Sequence, residues 1–144
     1  MKKLYLDNCC FNRPYDDQNQ FIIRFETDAK LTIQNSIKQN KYSLIWSFIL
    51  DFENNSNPPD KANSIFKWKD LSEMSVKSNE EIINIAKEIM KCGIKNKDAL
   101  HLACAIYAKV DFFITVDYKV LKYKDERITI LNPIEFIESE GIYE

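Results

Sequence analysis

Glycine is almost absent from this 144-residue chain, with Gly93 and Gly141 the only two. A Walker phosphate loop, a dinucleotide-binding glycine turn and a GxSxG nucleophile elbow all need closely spaced glycines, so none of them is possible here. Histidine is scarcer still, with His101 alone. The four cysteines form neither a CxxC pair nor a compact cluster with that histidine, which argues against a zinc site. Cys9 as a nucleophile would need His101 as its base, a pairing with no local signature. The thiols are instead expected to be reduced and packed. No apolar run approaches the roughly 18 residues that span a bilayer, and Met1 to Leu6 is too short for the apolar part of a secretory leader. A soluble cytoplasmic protein with no membrane partner is expected. The net charge of −2 offers no basic excess, so a nucleic-acid enzyme would have to gather its positive charge locally.

What the chain does have is apolar residue in quantity. At 45% hydrophobic and 12% aromatic content, 144 residues can bury one substantial core, so a single domain over 1–144 is the natural reading. Short apolar runs alternate with helical patterns. Lys3 to Asp7, Tyr42 to Trp46, Met74 to Val76, Asp111 to Thr115 and Ile128 to Leu131 read as strands, and Asn8 to Asn19 as a loop. Between them, Ile22, Phe25, Ala29, Ile33 and Ile37 recur at three- and four-residue steps, predicting one buried face of a helix from Gln20 to Gln39. Further helices are expected after Ser47, from Asp60 to Leu71, and to Lys91 behind a Ser78–Glu81 capping box with Gly93 as its stop. Two more follow, from Lys97 to about Lys109 behind Asn96, and after Asn132-Pro133. Strands separated by helices point to a parallel sheet covered on both faces, with ligands bound outside the carboxyl ends of its strands.

Four acidic residues fall where that rule looks for chemistry. Asp7 closes the first strand and Asp117 lies just beyond the fourth; Glu53 lies about two helical turns after Ser47, and Asp98 occupies the first turn of its helix. Singly, each has a plainer explanation as a turn former, a helix-dipole partner or a solvated side chain. Carboxylates gathered at one sheet edge, however, repel each other unless a divalent cation sits among them, and the set therefore suggests a metal-dependent phosphodiesterase. An aspartyl-phosphate phosphatase would want an Asp two positions after its nucleophile, where Asp7-Asn8-Cys9 has a thiol.

The residues around these acids resemble a known family. Leu6-Asp7-Asn8, Ser47 with Glu53 six residues later, Lys97-Asp98-Ala99-Leu100-His101-Leu102-Ala103 and Phe113-Ile114-Thr115-Val116-Asp117 look like the four motifs of PIN-domain ribonucleases. The longer run Leu6-Asp7-Asn8-Cys9-Cys10-Phe11-Asn12-Arg13-Pro14, and Phe52-Glu53-Asn54-Asn55 with Asn57-Pro58, resemble the VapC-type toxins within that family. The resemblance covers essentially the whole chain. It implies a three-layer α/β/α sandwich with a central five-stranded parallel sheet, and an acidic pocket in which Asp7, Glu53, Asp98 and Asp117 hold Mg²⁺ or Mn²⁺. Asn8 and Thr115 match the polar neighbours that orient carboxylates or water. Asp51 competes with Glu53 for its place, but two residues apart on a helix they point about 200° apart, and the spacing from Ser47 favours Glu53.

The activity so implied is hydrolysis of single-stranded RNA by an endoribonuclease leaving a 5′ phosphate, with a homodimer and an antitoxin protein as partners. Candidate substrate contacts are Arg13 after the first strand, Lys95 and Lys97 beside Asp98, and Lys119, followed by Lys122 and Lys124, beyond Asp117. His101 lies three residues after Asp98 on the same helical side. Its plainer reading is a buried histidine bonded to backbone, so it is left out of the catalytic set. Two other function classes remain open: a noncatalytic module of the same fold, and a hydrolase of small phosphoesters.

Overall fold

The structure, a computed structural model, describes residues 1–142. Its order begins with β1 (Lys3–Leu6), α1 (Asn8–Asn12), a 3-10 turn (Arg13–Tyr15), α2 (Phe21–Lys38), β2 (Ser43–Ser47), α3 (Phe48–Asn54), α4 (Pro59–Leu71) and β3 (Met74–Val76). It continues with α5 (Glu80–Met90), α6 (Asn96–Tyr107), β4 (Phe112–Ile114), α7 (Tyr118–Leu121), β5 (Thr129–Leu131) and α8 (Pro133–Glu140). The five strands form one sheet in the order β3, β2, β1, β4, β5. Every pairing is parallel, with Leu4 beside both Leu44 and Phe112 and Leu6 beside Ile114. β1 is therefore the central strand, and the direction of strand addition reverses at it. Among the described residues no helix is long and apolar enough to cross a membrane.

Alternation along the strands divides the core into two layers. On one face Trp46 meets Phe11 edge-on and Phe66 of α4 at a tilt, and Phe112 meets Phe136 of α8. On the other, Tyr5 stacks on Phe113 and meets the His101 ring of α6. α2 packs with α8 and α5 with α6. Right-handed crossovers account for the split, because β1 to β2 to β3 runs one way across the sheet and β3 to β4 to β5 the other.

Several local expectations are corrected. The segment 8–19 is not simply a loop. Asp7 caps α1 by accepting from the Asn8 backbone N–H, and Pro14 fits the start of the 3-10 turn, where its missing N–H is not needed. α5 is capped by Asn79, whose side chain accepts from Ile82 N–H, rather than by Ser78. Asn96 lies inside α6 and Lys95 is the cap residue, with no side-chain capping bond. α8 carries a full capping box between Asn132 and Glu135. The helical face read for α2 is buried only in its second half. Ala29, Ile33 and Ile37 are buried, whereas Ile22 and Phe25 are more than half exposed, beside a still more exposed Phe21. All four cysteines are free, as expected; Cys10 and Cys104 are buried, but Cys92 is exposed.

Candidate functional site

Each of the four acids is delivered by a different element, and three owe their position to a strand end. Asp7 leaves β1 with its N–H bonded to Ile114 O at 2.9 Å, so it is fastened to β4 at the carboxyl edge. Its own Oδ1 accepts from Asn8 N at 2.8 Å and its Oδ2 from the Thr115 hydroxyl at 2.8 Å, and it is 4% exposed. Thr115 Oγ1 in turn accepts from Asp117 N–H at 3.1 Å, which sets Asp117 beside Asp7. Asp117 caps the single turn of α7, accepting from Lys119 N at 2.9 Å. Ser47 ends β2 and caps α3, carrying Glu53 to the same edge; Asn8 Nδ2 donates to Glu53 Oε2 at 3.1 Å. Asp51 turns away from this group, accepting from Trp46 Nε1 at 2.9 Å and pairing with Lys69 Nζ at 3.0 Å. Asp98 enters from the first turn of α6.

Electrostatics ties Asp98 to the others. Burial, then the charges of Asp7 and Asp117, then that of Glu53 push its carboxyl up to about 6, with His101 opposing. Below the ordinary carboxyl range Asp98 is protonated whether the chain is folded or not, and the repulsion is absent; above about 6 it is charged in the fold and costs stability. Asp98→Asn is accordingly expected to raise the melting temperature at pH 8 by about 3 °C, or about 1 kcal/mol after allowing for solvent screening of a half-exposed group. The gain should fade as the pH drops from 6 to 4. An equal gain at both ends of a calorimetric pH series would show that repulsion is not its source.

The donor chemistry of this edge fits a hard divalent cation. It offers four carboxylates, together with the buried Asn8 Oδ1, which has no hydrogen-bond partner. The carboxylates are near enough to shift Asp98, but among the described residues no three His, Cys, Asp or Glu side chains are drawn together into one ion-binding cluster. The Cys9 thiol touches the site through Thr115 Oγ1 at 3.3 Å and Asp7 Oδ2 at 3.6 Å. A bond with Cys10, burial and the Asp7 charge push that thiol well above its ordinary range, which keeps it from acting as a thiolate nucleophile.

The proposed substrate cations divide into two groups. Arg13 is engaged elsewhere, with Asp16 at 3.0 Å and Glu26 at 3.4 Å. Lys97 rests its ammonium 5.4 Å from the centre of the exposed Phe52 ring. Lys95 and Lys119 are exposed, and Lys119, Lys122 and Lys124 line an open groove of about 470 Å³ with Cys92, Gly93 and Ile94. His101 and Tyr5 are the site residues that sequence reasoning left out. The imidazole is bonded to side chains and not to backbone: Nδ1 meets Tyr5 OH at 2.6 Å, Nε2 meets Glu53 Oε1 and lies 3.7 Å from Asp7 Oδ1. Burial alone would lower its pKa, but the charge of Asp7 and the bond to Glu53 leave it raised. The spacing of His101 from Asp98 and of Tyr5 from Asp7 was the available signal.

No protein-family model matches the chain, and no curated protein matches it. Among solved structures it is similar to a chain in the crystal structure of VapBC2 from Rickettsia felis bound to a DNA fragment from their promoter. The TM-score is 0.59 at 15% identity, over 90% of this chain and 98% of that one. The two share a fold. It is the three-layer, PIN-like α/β/α sandwich with a five-stranded parallel sheet that the sequence motifs imply.

Proposed function

We propose that this protein is a divalent-metal-dependent endoribonuclease, the toxin of a toxin-antitoxin pair acting in the cytoplasm on single-stranded RNA. The observation that carries this reading is that Asp7, Glu53, Asp98 and Asp117, from four separate elements, lie near enough to one another, at the carboxyl edge beside the central strand where strand order reverses, for the first, second and fourth to raise the pKa of Asp98. These four side chains would hold Mg²⁺ or Mn²⁺, with Asn8 and Thr115 orienting Glu53 and Asp7. When bound, a divalent cation lowers the pKa of an attacking water and polarises the scissile phosphate. The chain's own part is positional. Thr115 fixes one oxygen of Asp7 and the α1 backbone the other, and the exposed Lys95 and Lys119 supply charge for flanking phosphates without competing for the carboxylates.

The fold shared with the VapBC2 chain supports an antitoxin partner. The exposed start of α2 supports a homodimer: Phe21 and Phe25 stack with ring centres 6.5 Å apart, and Phe25 borders an apolar groove with Ala29, Ile134 and Ile137. Purified protein is expected to cleave end-labelled single-stranded RNA with Mn²⁺ or Mg²⁺, to leave a 5′ phosphate, and to lose activity in EDTA with recovery on metal add-back. Hydrolysis of a mononucleotide ester in place of RNA would move the assignment to a small-molecule hydrolase, and inactivity on all RNA with every metal would move it to a binding module.

A further inference from the structure

We infer that His101 and Tyr5 are positioning residues that hold Glu53 in the carboxylate set, an inference that rests on the metal-site reading above. Glu53 needs such help. It sits on the seven-residue α3, its side chain is 19% exposed, and a glutamate has three rotatable bonds to fix. Both of its oxygens are nonetheless held, Oε2 by Asn8 from α1 and Oε1 by His101 from α6. Behind His101 the support continues. Tyr5 OH lies 2.6 Å from His101 Nδ1 and 2.6 Å from Ser47 Oγ, and Tyr5, Ser47 and His101 are at most 1% exposed.

The directions of these bonds follow from the chemistry of the groups. A carboxylate only accepts, so Nε2 carries the hydrogen shared with Glu53. In the neutral ring so protonated, Nδ1 accepts from Tyr5 OH, the phenol oxygen accepts from Ser47, and Ser47 Oγ accepts from Leu50 N–H at 3.4 Å. Every polar atom in the chain of bonds is then satisfied without backbone from α6. A histidine serving only to fill the core would be replaceable there by an apolar residue at no polar cost. Here β1, β2 and α6 each contribute one buried polar group, and the row ends on a single flexible carboxylate.

The test uses the full chain with Mn²⁺ as probe, measured by calorimetry, in wild type, Tyr5→Phe, His101→Gln and Glu53→Gln, each checked for folding by circular dichroism. His101→Gln is expected to weaken Mn²⁺ binding by about 10-fold or more and Tyr5→Phe by about 3-fold, as for groups that orient a ligand. Neither should weaken it further in a Glu53→Gln background, a coupling that a merely structural role would not produce. Unchanged affinity in His101→Gln, or losses that add to that of Glu53→Gln, would overturn the inference. Nitrogen NMR of the single imidazole supplies an arm that needs no metal. One fixed tautomer protonated at Nε2, with ring shifts moved by both Tyr5→Phe and Glu53→Gln, is the expected result. A freely exchanging ring indifferent to both variants would sink it. Wild type that binds no Mn²⁺ while its ring shows the fixed tautomer would reject the metal reading and leave the positioning of Glu53 supported.

Discussion

Asp7→Asn is expected to lower metal-dependent RNA cleavage by more than about 100-fold, beyond the loss typical of groups that only orient a ligand, while the protein stays folded. Asp7 is the most buried of the four acids and sits just past the end of the central strand, so it cannot be replaced by a neighbour swinging in. Its two oxygens are fixed from opposite sides by Asn8 N–H and the Thr115 hydroxyl. An asparagine keeps the shape and one acceptor, and the Thr115 hydroxyl can turn to accept from the new amide, so the fold tolerates the change. What it loses is the negative charge at the centre of the acidic edge. Initial rates on end-labelled RNA with Mn²⁺, beside circular dichroism of the variant, decide the matter; a rate within about 3-fold of wild type would remove Asp7 from the site.

Trp46→Ala should be the most damaging core substitution, costing about 3 to 5 kcal/mol, or a fall in melting temperature of about 10 °C or more. The indole is fully buried on β2. It meets Phe11 with ring centres 5.3 Å apart and Phe66 at 6.3 Å, so its removal opens a cavity walled by α1 and α4, which cannot both close in. It also leaves Asp51 without its indole donor. Thermal and urea unfolding of the variant measure the cost, and a loss below about 1 kcal/mol would mean that the two helices collapse onto the strand.

The sheet was legible because its strands are short apolar runs bounded by polar residues, and parallel pairing follows from the helices between them. Cap positions were less so: Ser78 and Asn79 are both good caps, and only the path of the backbone out of β3 selects Asn79. Phe21, Ile22 and Phe25 follow the helical period as well as Ile33 does, yet period alone does not say how far along the helix the core extends. Asp7 and Asp117 could be located from strand ends. Placing Glu53 beside Asn8, with Asp51 turned to Trp46, needed the observed contacts. His101 escaped because a lone histidine carries no pattern, and its partners come from β1 and α3, far away in sequence.

The central place of β1 has a consequence for synthesis. As the chain emerges from the ribosome, β1 can pair with β2 early, but its other edge waits for β4, and the bond between Asp7 and Thr115 joins residues 108 apart. At ordinary translation rates that gap is about 5 to 20 s. Until it closes, a nascent chain gains Asp98 with α6 but has neither β4 and Thr115 to fasten Asp7 nor Asp117 beyond them, so the acidic edge is completed only late. Truncated products that stop short of β4 would leave one edge of β1 unpaired, a ready template for pairing with another chain.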